Sequence, residues 1–148
     1  MADQEGATAA REAHPHTQKL RKGFQAYSRG DLSAISELFA DDATIHILSD
    51  SSPFAGVHKG KDGLRQLFEK TRGALEEESW TVEDLMVNDD YVVAITRAQG
   101  TKKQGRGHGP RSGGTMDVQV FRMRNGRVTK AWYINDDPNL EDREFWSA

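Results

Sequence analysis

The sequence predicts an α+β fold, with helices segregated to one face of a curved, mostly antiparallel sheet. Three observations predict it. Apolar residues recur three and four positions apart in stretches of the first half, as on one face of a helix. From Ser79 onward the pattern changes to alternating β-branched and aromatic runs, punctuated by turn residues. The resulting order is helix, helix, strand, helix, then four strands in antiparallel succession.

Residues 1–12 are small and polar and are expected to form a disordered tail, leaving one domain over 13–148. Pro15 suits the first turn of a helix that runs to Arg29, with Leu20, Phe24 and Tyr27 on one face. His14 and His16 beside it are expected to be solvated rather than to grip a metal. Gly30 ends that helix and Asp31 caps the next, which carries Leu32, Ile35, Leu38 and Phe39 on one side. Its exit is Ala40-Asp41-Asp42. Residues 43–48 form a short strand around His46, with Ile45 and Ile47 facing the other way. A loop over 49–60 holds Pro53, Gly56 and an exposed His58. A helix over 61–73 turns Leu64, Leu67 and Phe68 inward, and Glu76-Glu77-Glu78 is a solvated connector. Residues 79–87 and 91–100 are strands around the turn Asn88-Asp89-Asp90, with Trp80 and Val82 sharing a face. Residues 101–114 form a long loop rich in glycine and cations.

The hairpin over 115–136 is the most informative stretch. Asn125-Gly126 lies between two alternating runs, a strong hairpin signal. A two-residue turn would place Gln119 on the face of Trp132. A three-residue loop bulged at Gly126 would place it with Ala131 and Tyr133, because a one-residue slip flips every side chain. The bulge sorts the residues better. Val118, Val120, Val128, Trp132 and Ile134 then share one face, with Arg122 and Lys130 at its end. The other face collects Asp117, Gln119, Phe121, Tyr133 and Asn135. The first face is made for packing. The second has two readings, a ligand-pocket lining or the polar side of a half-solvated sheet.

Composition narrows the function. The chain has 148 residues, 36% of them hydrophobic, which allows one domain with a modest core or a core shared with a second subunit. Basic (20) and acidic (23) residues are interspersed at a net charge of −3, so nothing draws the chain to nucleic acid or an anionic membrane. The absence of cysteine excludes disulfides, thiol nucleophiles and cysteine-ligated metals. No apolar run reaches membrane-span length, and the first residues lack a basic-then-apolar leader, so a cytoplasmic protein is expected.

The glycine-rich run Gly105-Arg-Gly-His-Gly109-Pro110 is not a dinucleotide loop, because Pro110 stands in the third glycine's place and no helix follows. Ser112 is not in a nucleophile elbow, because Pro110 occupies the first glycine position of that motif. No histidine pair has metal-ligand spacing on a helix, so no metal is expected. The cations of the loop from Lys102 to Arg111 offer an anion or RNA contact, but the loop has no aromatic residue and reads as a solubilising tip. Two candidates for proton transfer remain. His46 titrates near neutral pH, or is simply a satisfied strand residue. Asp117, walled by Phe121, Tyr133 and Trp80, would have its pKa raised by desolvation, or is an exposed strand-end carboxylate.

Tyr27-Ser-Arg-Gly-Asp-Leu32, Glu37-Leu-Phe-Ala-Asp-Asp-Ala-Thr-Ile-His46 and Phe54-Ala-Gly-Val-His-Lys-Gly-Lys-Asp-Gly-Leu64 form an ordered series. Val87-Asn-Asp-Asp-Tyr-Val-Val-Ala94, Phe121-Arg-Met-Arg-Asn-Gly-Arg-Val128, and Trp132 to Asp137 with Phe145-Trp146-Ser147 continue it. Together they resemble the nuclear transport factor 2-like superfamily, in its SnoaL-like, ketosteroid isomerase-related branch. The resemblance implies a cone-shaped sheet wrapped around three N-terminal helices, enclosing an apolar pocket and often dimerising through the sheet. It implies cyclases, isomerases, dehydratases, epoxide hydrolases or non-catalytic binders, none needing a cofactor. By the same resemblance the steroid isomerase's phenol falls at Gly23, its base at Ile47 and its second carboxylic acid at Gln119. The cyclases' histidine and aspartate fall at Gln119 and Tyr133, so neither set transfers intact.

The expected function is therefore a cofactor-independent enzyme acting on an apolar, oxygenated small molecule. His46 or Asp117 would move a proton, and Tyr133, Gln119 and Asn135 would hold the oxygen that gains charge. Phe24, Tyr27, Trp80 and Phe121 would line the pocket. The alternatives are a carrier of an apolar ligand and a scaffold acting as a dimer. The expected partner is a second copy, docked through Val118, Val120, Trp132 and Ile134.

Overall fold

A computed structural model of the chain describes residues 4–48, 54–102 and 115–135. Helix α1 (Gln4–Ala13) precedes α2 (Pro15–Arg29), α3 (Leu32–Leu38) and strand β1 (Phe39–Ile47). After them come β2 (Gly56–Lys59), α4 (Gly60–Ala74), β3 (Leu75–Val87), β4 (Tyr91–Lys102), β5 (Thr115–Arg124) and β6 (Arg127–Asn135).

The helix starts follow local chemistry. His14 caps α2, its Nδ1 accepting from the backbone N–H of His16 at 3.1 Å, with Pro15 in the first turn. Asp31 caps α3 by accepting from the Ala34 N–H at 3.1 Å. Lys61 then ties α4 to the end of α3, donating to the carbonyls of Ser36 and Phe39. Several expectations are corrected here. Residues from Gln4 onward form helix α1 rather than a disordered tail, and Arg21 pairs with Glu12 across the α1–α2 joint. His14 and His16 are half-buried rather than solvated, and His16 donates from Nε2 to the Asp89 carbonyl at 2.8 Å. Phe39 opens β1 instead of closing α3. Residues 56–59, expected in a loop, form β2, and His58 there is half-buried, donating to the Phe54 carbonyl at 2.7 Å. Residues 76–78 belong to β3.

Gly30 closes α2 with φ 75°, and its N–H reaches the carbonyls of Ala26 and Tyr27. A Cβ there would stand 2.9 Å from the Arg72 guanidinium, which itself donates to the Tyr27 carbonyl at 2.8 Å. Left-handed backbone costs a residue with a Cβ about 1–2 kcal/mol. Gly30→Ala should therefore lower the unfolding midpoint by about 3–6 °C for a domain of this size. An unchanged midpoint in a thermal melt would refute the strain.

The six strands form one open, curved sheet in the order β2-β1-β6-β5-β4-β3. Only β1 and β6 run parallel; the other neighbours are antiparallel. Asn125 (φ 52°) and Gly126 (φ 74°) build a two-residue turn with both central residues left-handed, a type I′ turn, and Arg124 pairs Arg127 across it. The extra residue of the hairpin is Thr129, between the pairs Met123–Val128 and Arg122–Lys130, and not Gly126. Beyond Thr129 the faces fall as expected, with Gln119 opposite Tyr133. Val128 changes sides: it lies opposite Met123 on the inner face, and both are almost fully buried.

That inner face carries the core. Leu20, Ala26, Ile35, Leu64 and Leu67 of the helices meet Ile45, Val92, Phe121 and Met123 of the sheet. Burying each large side chain contributes about 1.5–3 kcal/mol. The Phe24 ring stands edge-on to Phe121 at 6.2 Å between centroids, joining α2 to β5. Among the described residues, no helix is long and apolar enough to cross a membrane.

Candidate functional site

Strand register sets the site. On the inner face one cross-strand row runs Asn135, Asp117, Thr96, and the next runs Ile47, Tyr133, Gln119, Ala94. A third row, Ile45, Ala131, Phe121, Val92, is apolar and buried. Asp117, Gln119, Phe121 and Tyr133 are thus brought together as one patch. Thr96 belongs to it and was missed, because a lone threonine in a strand carries no signal that separates this place from a solvated one.

Burial within the patch is uneven. Asp117 and Thr96 are wholly buried at 0% exposure, as is Ala94. Gln119 and Tyr133, side by side in the next row, are only half-buried, as is Phe24. The inner face is therefore partly open at Gln119 and Tyr133, next to the buried Asp117. Thr96 donates from Oγ1 to the Asp117 carbonyl at 3.4 Å and accepts from Gln119 Nε2 at 3.4 Å. A carboxyl, a hydroxyl, an amide and a phenol beside two aromatic rings can orient an oxygenated apolar molecule and exchange a proton with it.

His46 is not part of this patch. The alternation that turns Ile45 and Ile47 inward turns His46 outward, where it stacks on Trp132 at 5.9 Å with 24° between the planes. Thr44 Oγ1 lies 3.3 Å from its Nε2, and Lys130 Nζ sits 4.8 Å above the Trp132 ring. Loss of solvation, then the charges of Lys130 and Lys59, hold the His46 pKa below its ordinary value of 6.5. The unfolded chain therefore takes up this proton first as pH falls. Its contribution to stability is complete above the ordinary histidine value and is lost as pH falls toward the folded one. His46→Gln should lose less of its melting temperature than the wild type between about pH 7.5 and about pH 5.5. Equal losses would refute this.

Tyr27 packs in the helix layer, against Phe68 at 5.9 Å and under the Arg72 guanidinium at 5.6 Å. Trp80 pairs with Ala98, and Asn135 with Asp117, along the backbone; their side chains lie outside the described structure. The loop from Lys103 to Arg111 and the segment after Asn135 also lie outside the described residues. Gly23, where the isomerase's phenol would fall, leaves its space to Leu38, whose Cδ2 would lie 2.7 Å from an added Cβ. Ile47, at the isomerase base position, packs on the core. Among the described residues, no three acidic or histidine side chains gather as a metal site.

A curved six-stranded sheet with helices on its inner face is the nuclear transport factor 2-like fold. Within that class, the SnoaL-like domain model matches residues 20–131. The chain belongs to the SnoaL-like family. It is 28% identical to Bal32a, from a soil-derived mobile gene cassette, with a TM-score of 0.77 over 92% of this chain and 99% of that one. It is 26% identical to the uncharacterised protein Rv0034 of Mycobacterium tuberculosis over 133 residues, 86% of this chain and 93% of the relative. IdmH, a candidate polyketide cyclase from Streptomyces antibioticus, shares the fold at 24% identity and a TM-score of 0.69, covering 84% and 94% of the two chains.

Proposed function

We propose that this protein is a cofactor-independent small-molecule enzyme of the cyclase, isomerase or dehydratase type, acting on an apolar, oxygenated substrate. The observation that carries the reading is the wholly buried Asp117 beside the half-exposed Gln119 and Tyr133, with Phe24 and Phe121 as an apolar wall. Asp117 is the proton-transfer group, and Tyr133 and Gln119 hold the substrate oxygen. The family and the likeness to IdmH support a ring-forming or ring-rearranging reaction.

A carrier of an apolar ligand is the second reading. The outward position of His46 favours it, since it removes one of the two candidate proton-transfer groups from the inner face. A thermal-shift screen against polycyclic ketones, polyketide-like aromatics and terpenoid epoxides tests both. A ligand at about a hundred times its dissociation constant adds roughly 2.7 kcal/mol of stability. A stabilising compound that is also converted supports the enzyme. Stabilisation without conversion supports the carrier, and no stabilisation across the panel overturns both.

The protein is further proposed to pair with a second copy through the outer sheet face that carries Val118, Val120, Trp132 and Ile134.

A further inference from the structure

Thr96 has one hydroxyl proton, and the structure directs it to the Asp117 carbonyl. Its oxygen can then act toward Gln119 only as an acceptor. A Gln119 carbonyl facing it would set lone pairs against lone pairs, so the amide must present its NH₂ there, as it does at 3.4 Å. The bond fixes which way the amide points, and it leaves Oε1 for a ligand's donor. Thr96 is wholly buried and Gln119 half-buried, so Gln119 is the accessible member of the pair.

We propose that Thr96 is a positioning residue that orients Gln119, so that the site selects apolar ring systems bearing a free phenolic or enolic hydroxyl. This rests on the small-molecule site proposed above and names its substrate class. A hydroxyl satisfies Oε1, whereas the corresponding methyl ether strands it without a partner. A site built to bond a hydroxyl rejects the analogue lacking the hydrogen far more strongly than an apolar site can.

The test is calorimetric titration with 2-naphthol and 2-methoxynaphthalene, which differ at that one group. Wild type should bind 2-naphthol about tenfold more tightly, the cost of one unmatched buried acceptor. Thr96→Ser keeps the relay and should keep the ratio. Thr96→Val keeps the shape without the relay and should bring the ratio to within about twofold. A general loss of packing would weaken both ligands together and would not be rescued by serine. If Thr96→Val does not fold, Gln119→Met removes the acceptor directly and should also abolish the preference. Equal binding of the two probes to wild type, or a preference that survives in folded Thr96→Val, overturns this inference alone. Binding of neither probe overturns it together with the site reading.

Discussion

Asp117→Asn should abolish turnover while leaving the protein folded. Asparagine has almost the volume of aspartate, but it cannot carry the proton. General acid–base catalysis by one positioned group contributes about 10²–10⁴-fold, so a loss of about 10³-fold is expected. Tyr133→Phe removes one hydroxyl at the half-exposed side of the patch, so its loss should be smaller, about tenfold. Ligand affinity should change little in Asp117→Asn, because binding uses the aromatic wall and Gln119. Full turnover in a folded Asp117→Asn would remove the carboxyl from the mechanism.

The second large effect concerns the opposite face. One row there crosses every strand of the sheet: Val57, His46, Trp132, Val120, Val93 and Met86 stand in register from β2 to β3. Val57 is 51% exposed, Met86 44% and the neighbouring Ile134 38%. Such a band is an association surface when it is continuous, because scattered apolar residues are ordinary but contiguous ones are not. A two-fold axis through it would bury the same residues from both copies. Wild type should sediment as a dimer of 16.5 kDa chains at about 10 µM, a concentration at which an interface of standard size is occupied. Val120→Arg, at the centre of the row, should weaken the dimer by about 10²–10³-fold, as loss of a central anchor does. It should leave ligand binding intact, since the side chains of the proposed site lie on the other face. A wild-type monomer at that concentration would overturn the dimer without touching the site.

Period-two alternation carried most of what was legible. It placed Asp117, Gln119, Phe121 and Tyr133 together and separated them from Val118, Val120 and Trp132. It also held the answer for His46. Two isoleucines facing one way mark the core side, so the histidine between them belongs outside. Val128 was misplaced because a bulge at Gly126 and one at Thr129 give the same facing from Ala131 onward and differ only between them. Strand β2 is four residues long, begins at Gly56 and is followed by Gly60, too short for a pattern. The pairing of β1 with β6 depends on which distant strand wins an edge, and no local window contains that information. Thr96 joins the patch only through its neighbours across the strands, Asp117 and Gln119.

The parallel pairing of Ile45 with Ala131 and of His46 with Trp132 also sets the order of assembly. On the ribosome, β1 and β2 emerge long before β6 exists, and the edge of β1 that will bond it stays unmatched throughout. Such an edge is a template for another chain. The sheet is complete only when β6 slots between β1 and β5, a contact between segments far apart in sequence that makes folding slow relative to a helical bundle. That exposed edge is covered only on the arrival of the strand that also carries Tyr133.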